Sequence, residues 1–184
     1  MWIVRINMTD QSYKLEEVPE RYKNLGGRGL TSTIIYDEVD PACHPLGPNN
    51  KLVFAPGMVT GTAAPTSARV SVGAKSPLTG GIKESNAGAA WSPAVARMRV
   101  KAIIVEGMPK EKDYWVAKLF WDGEKPAIEF SCAGDYVGKN LYDVFPLLFE
   151  KYGKRVHVAG IGVGGEYGYA NSGYESASVH WTRM

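Results

Sequence analysis

Apolar residues crowd positions 2–8 and alternate with polar ones from Tyr13 to Val18. Thr9, Asp10, Gln11 and Ser12 lie between the two runs, so the pattern predicts a β-hairpin. A helical period follows from about Leu30 to Val39, with Gly26, Gly27 and Gly29 at its mouth and Pro41 beyond its end. A strand is expected at Lys51 to Ala55. The second half repeats this order. Strands are predicted at Trp115 to Trp121 and Ala127 to Cys132 around the turn Asp122-Gly123, then a helix near Leu141 to Tyr152 and a strand at Arg155 to Ala159. WIVRINMTDQ from Trp2 superposes on WVAKLFWDGE from Trp115, and KLVFAPGMVTG from Lys51 on RVHVAGIGVGG from Arg155. The expected fold is therefore α+β: a duplication of two similar lobes, each a mainly antiparallel sheet with a helix. The repeats fall at about 1–60 and 114–165 of a single domain, 1–184. Between them sits an insert at 57–101, with a strand at Ala68 to Ala74 and a helix at Ala89 to Met98, and then a buried strand at Ala102 to Val105.

The insert is unusual in composition. From Gly57 to Ala90, 21 of 34 residues are Gly, Ala, Ser or Thr, and from Gly57 to Lys101 six cations (Arg69, Lys75, Lys83, Arg97, Arg99 and Lys101) face one acid, Glu84. The whole chain carries a net charge of only +2. Small residues let backbone amides come close to a bound group, and guanidinium or ammonium groups share its negative charge. The stretch thus reads either as a surface for a large phosphate-bearing ligand or as a small-residue packing layer with solvated cations.

With 184 residues, 45% of them hydrophobic, the chain is long enough for a sizeable core. It has no run of apolar residues long enough to span a bilayer, and its start lacks the pattern of a signal peptide, so the expectation is no membrane association and a cytoplasmic location. The near balance of charge and the lack of a basic run interleaved with aromatics point away from nucleic acid. Cys43 and Cys132 stand apart, with no metal-ligand spacing, and are expected to be buried free thiols. Gly160, Gly162 and Gly165 make a GxGxxG after a strand, but EYGYANSGYESASVHW reads poorly as the helix that a dinucleotide loop requires. His44, His157 and His180 have no partner that makes a nucleophile and base pair, and Tyr167, Tyr169 and Tyr174 read as a packed edge or an aromatic wall.

The segments GGRGL (26–30), NKLVFAPGMVTGTAAPTSAR (50–69), KSPLTG (75–80), SNAG (85–88), AIIVEG (102–107) and IGVGGE (161–166) occur in that order over essentially the whole chain. Together they resemble the N-terminal, pterin-binding domain of the aldehyde:ferredoxin oxidoreductases. The resemblance implies a domain of two similar halves that forms the floor for a bis-pterin cofactor, tungstopterin or molybdopterin. It implies cofactor contacts at Arg69, Asn86, Ala87 and Gly88, with Lys75 and Arg183 adding positive charge. It further implies that the Asn86 carbonyl ligates a magnesium ion bridging the two pterin phosphates. A 4Fe-4S cluster belongs only to the complete enzyme, whose substrates are aldehydes or related carbonyls and whose electron partner is ferredoxin. Gly88-Ala89 replaces the usual Gly-Gly of the family, and Arg99-Val100-Lys101 replaces Gly-Tyr-Asp. No catalytic residue is expected within these 184 residues, since the second pterin loop, the cluster cysteines and the catalytic acid and histidine come later in the family. The expectation is a cofactor-binding domain that needs C-terminal helical domains or a separate subunit, and that self-associates without them. The alternative is a noncatalytic binding or assembly module with the same fold.

Overall fold

The structure, a computed structural model, describes residues 1–88, 90–110 and 113–169, and the backbone of 174–178. Strands β1 (Trp2–Asn7) and β2 (Ser12–Glu17) form the expected hairpin. Helices α1 (Glu20–Lys23) and α2 (Gly27–Glu38) lead to β3 (Lys51–Pro56), β4 (Arg69–Lys75) and β5 (Ile82–Gly88). Helix α3 (Trp91–Arg97) and strand β6 (Val100–Glu106) complete this half. The six strands make one sheet in the order β2-β1-β6-β3-β4-β5. Every neighbouring pair is antiparallel except β1 and β6, which run parallel.

The arrangement follows from which strands can be buried on both faces. Strand β6, VKAIIVE, is buried from Val100 to Ile104 and sits inside the sheet, as a near-continuous apolar run requires. One face packs against α2, where Leu30, Ile34 and Ile35 meet Ile3, Val53, Ala55, Ala102 and Ile104. Fully burying a side chain of this size contributes roughly 1.5–3 kcal/mol. Helix α2 lies close because β4 offers Gly73, where a Cβ would stand 2.7 Å from Thr31 Cβ. The other face holds Val4, Ile6, Phe54, Val70, Val95, Val100, Ile103 and Ile128.

The second half has the predicted order. A hairpin of β7 (Trp115–Trp121) and β8 (Pro126–Cys132) precedes α4 (Leu141–Tyr152), β9 (His157–Ile161), α5 (Val163–Glu166) and β10 (Tyr174–Ser178). Asn140 caps α4 by accepting from the Asp143 amide at 3.1 Å, and Gly153, at φ +90, ends it. Among the described residues β7–β8 and β9–β10 are separate two-stranded antiparallel sheets, not one sheet of the kind that unites the first half. Leu119, Ile128 and Phe130 of the second hairpin lie on the face of the large sheet opposite α2.

Two points of the sequence reading are corrected. Strand β5 was not foreseen, because IKESNAG has no apolar alternation; it is the edge of the sheet and its residues are mostly exposed. Cys132 is exposed while Cys43 is buried, since β8 ends at the surface. As the sequence reading expects, the GxGxxG opens no dinucleotide-type helix: α5 is only four residues long. No helix among the described residues is long and apolar enough to cross a membrane.

Candidate ligand site at the free edge of the sheet

The site begins with β4 and β5. Arg69 opposes Gly88, Val70 opposes Ala87, and Ser71 opposes Asn86. Which way each backbone group points follows from its neighbours. The Arg69 carbonyl accepts from the Gly57 amide at 3.1 Å on the β3 side, whereas the Ser76 amide donates to the Gly81 carbonyl at 2.8 Å on the β5 side. Antiparallel ladders alternate, so Val70, Val72 and Ala74 bond to Ala87, Ser85 and Lys83. The amides and carbonyls of Glu84, Asn86 and Gly88 therefore point away from β4, out of the free edge.

Arg69 is fixed from behind. Its carbonyl also accepts from Ser92 Oγ at 2.8 Å, which ties the first turn of α3 to the first residue of β4. The preceding loop is braced by Thr60 Oγ1, which donates to the Ser67 carbonyl, and by Ser67 Oγ, which donates to the Ala64 carbonyl at 2.9 Å. Gly61 has φ +84, and a Cβ there would lie 2.9 Å from Ala96 Cβ, so the loop meets α3 through a residue without a side chain. Beneath it, the buried Lys101 Nζ donates to the Lys23 carbonyl at 2.9 Å and lies 3.1 Å from Met58 Sδ. Burial pushes the Lys101 ammonium pKa down.

Where the strand ends meet α3 there is a cavity of about 560 Å³, lined by Thr66, Ala68, Arg69, Gly88, Ala90, Pro93, Ala94, Arg97 and His157. Among the described residues that line it there is no carboxylate. Neither Arg69 nor Arg97 has an ion-pair partner among the described residues. Gly88 leaves room here: a Cβ would meet only the Ala68 carbonyl oxygen, at 3.9 Å.

Of the residues expected at the site, Arg69 and Gly88 thus share the cavity wall, and Asn86 stands one pleat along the same edge. Ala87 pairs inward with Val70 and packs toward the apolar cluster. Lys75 is at the opposite end of β4, about 20 Å from Arg69 at the rise of an extended strand. Its side chain is buried there and donates to the carbonyls of Pro41 and Cys43. Arg183 lies outside the described residues, as does His180. His44 accepts from the Leu46 amide within its own turn, while Tyr167 and Tyr169 are exposed and stack at 5.9 Å. Two cavity residues, Arg97 and His157, were missed. Pro93, Ala94 and Arg97 recur at one-turn spacing on α3, a signal for Arg97 that was available in the sequence.

A mixed sheet with a helix on each face and a cation-lined cavity at its free edge defines an α+β domain. The chain belongs to the family of the aldehyde ferredoxin oxidoreductase N-terminal domain, whose model matches residues 3–183. It is 38% identical over 167 residues to the tungsten-containing aldehyde ferredoxin oxidoreductase of Pyrococcus abyssi, and 36% identical over 166 residues to that of Pyrococcus furiosus. Each match covers 89% of this chain and 26% of the relative, so the chain spans about a quarter of the length of these relatives. Among solved structures it is similar to the active site complex BamBC of benzoyl coenzyme A reductase in complex with 1,5-dienoyl-CoA. The TM-score is 0.84 with 27% identity, over 96% of this chain and 26% of that one.

Proposed function

We propose that this chain is the cofactor-binding floor of a tungsten or molybdenum bis-pterin oxidoreductase, and that the β4–β5 edge receives the pterin. The observation that carries this reading is the pairing of Arg69 with Gly88 beside an outward-facing Asn86 backbone. A guanidinium grips a phosphate or the polar edge of a ring in a fork, and a residue without Cβ lets a flat ring approach the backbone. The Asn86 carbonyl is a hard oxygen on an unpaired edge, the donor type that magnesium takes, and we assign it to the ion between the pterin phosphates. Ala87 holds the edge strand by its bonds to Val70, and Lys75 fixes the far end of β4. Arg183 adds charge from beyond the described part. Tungsten or molybdenum held by two dithiolenes supplies two-electron redox chemistry when bound. The residues of this chain bind, orient and neutralise.

The two thiols do not fit a 4Fe-4S cluster. Cys43 belongs to the core on the α2 face and Cys132 ends a strand of the hairpin on the other face, whereas such a cluster takes four thiolates. We therefore assign the cluster, the oxidation of aldehydes or related carbonyls and the transfer of electrons to ferredoxin to further domains or a partner subunit. The halves at about 1–60 and 114–165 form one duplicated floor under this reading.

The test is Arg69→Ala in the assembled protein. Losing a charge-assisted hydrogen bond costs roughly 1.5–3 kcal/mol. Metal and pterin content should fall while the melting temperature of the apo chain holds. Wild-type content would overturn the assignment.

A further inference from the structure

The cavity contains a cation that the family's motif series does not include. Arg97, in the last turn of α3, lines the wall facing the β4–β5 ends together with Pro93 and Ala94, and it is exposed. Helix and strand are locked in register, because Ser92 Oγ donates to the carbonyl of Arg69 itself. The two guanidiniums are therefore mounted on one rigid frame, lining a cavity with no acid among its described residues. Two like charges facing one space repel each other, and an anion between them reverses the sign of that term. Small residues on the rest of the wall, Ala68, Gly88, Ala90 and Ala94, leave the space open.

We propose that Arg97 is a second anion-binding residue of this cavity, and that Arg69 and Arg97 together grip a phosphate group of the bound ligand. The inference rests on the reading that the cavity receives a phosphate-bearing cofactor, and it adds a contact to that reading. A different use of Arg97 is to complement the carbonyl end of α3, which would act on stability and leave ligand binding unchanged.

The probe is inorganic pyrophosphate, titrated calorimetrically into the full chain at low and at physiological ionic strength. The variants are Arg69→Ala, Arg97→Ala, Arg97→Lys and Arg99→Gly, the last removing a charge two residues from Arg97 but outside the cavity wall. Arg97→Ala and Arg69→Ala should each weaken binding about tenfold or more. Arg97→Lys should lose less, because it keeps the charge and gives up only the fork. Arg99→Gly should bind like wild type. If Arg69→Ala weakens binding and Arg97→Ala does not, the Arg97 proposal is overturned and the cofactor reading stands. Equal weakening by Arg97→Ala and Arg99→Gly would mean a general positive field, which also overturns it. A wild-type chain that binds no pyrophosphate at either ionic strength removes both the proposal and the phosphate part of the cofactor reading. Arg97→Lys keeps the test decisive if the alanine variant folds poorly.

Discussion

Gly88→Ala separates what the chain needs for itself from what it needs for its ligand. Gly88 lies outside the left-handed backbone region, and the new methyl would have only the Ala68 carbonyl oxygen within 4 Å, at 3.9 Å. Nothing among the described residues resists it. A glycine replaced by alanine at a compatible position gains about 0.4–1 kcal/mol, because the unfolded chain has less freedom to lose. For a domain of this size that is a rise of roughly 1–4 °C in Tm. The same methyl projects into the cavity wall where the pterin is proposed to approach. Overfilling a packed contact costs about 1–3 kcal/mol, or roughly 5- to 150-fold in affinity. The variant should thus be slightly more stable as an isolated chain and markedly poorer in bound metal and pterin once assembled. Thermal denaturation of the chain and metal and pterin analysis of the assembled protein read the two effects separately. A fall in Tm would mean that the position is constrained from within. Undiminished cofactor content would mean that the ligand does not come near Gly88. Either result refutes the reasoning.

Arg99 has φ +58 just past the end of α3, where the family usually has glycine, and its amide already closes the turn on Ala96 at 3.0 Å; Arg99→Gly should raise stability by about 1 kcal/mol, or roughly 2–4 °C in Tm. Glu106 is pushed up by burial, but hydrogen bonds and charge from Lys51 and Arg5 hold its carboxyl below the ordinary value of 4.5. It contributes stability that is present above pH 4.5 and lost as pH falls through the lowered native pKa. Glu106→Gln should therefore flatten that part of the acid limb in a pH series of denaturant melts, and an unchanged limb would discard the assignment. The isolated chain should carry no stoichiometric tungsten, molybdenum or iron–sulfur cluster and reduce no dye with aldehyde; metal content together with turnover would show that these residues hold more of the active site than argued above.

Helix α4 lies where its pattern placed it, near Leu141 to Tyr152, and the structure supplies the reason for its ends, the Asn140 cap and Gly153. The hairpins were legible because alternation and turn residues are local properties. Strand β5 was not, since an edge strand is held by its backbone and its side chains need no apolar pattern. The parallel pairing of β1 with β6 joins residues separated by the rest of the first repeat and nearly all of the insert, and no local feature encodes it. At the site, the composition of the insert fitted either a phosphate-bearing ligand or a small-residue packing layer, and did not say where a ligand would sit. Arg69 and Lys75 look alike in that composition. Only the fold separates them, by turning one into an open cavity and spending the other on the carbonyls of Pro41 and Cys43.

The outward amides and carbonyls of Glu84, Asn86 and Gly88 have a meaning apart from recognition. A row of backbone groups with no strand partner among the described residues is a template on which another strand can pair. Lys83 places one charge on this border, and Leu78 and Ile82 leave apolar surface beside it. A ligand seated there would finish the sheet as well as load the domain. On the proposed function, an empty chain should stay adhesive along that border, and failure to load would be displayed on the outside of the molecule as a tendency to stick.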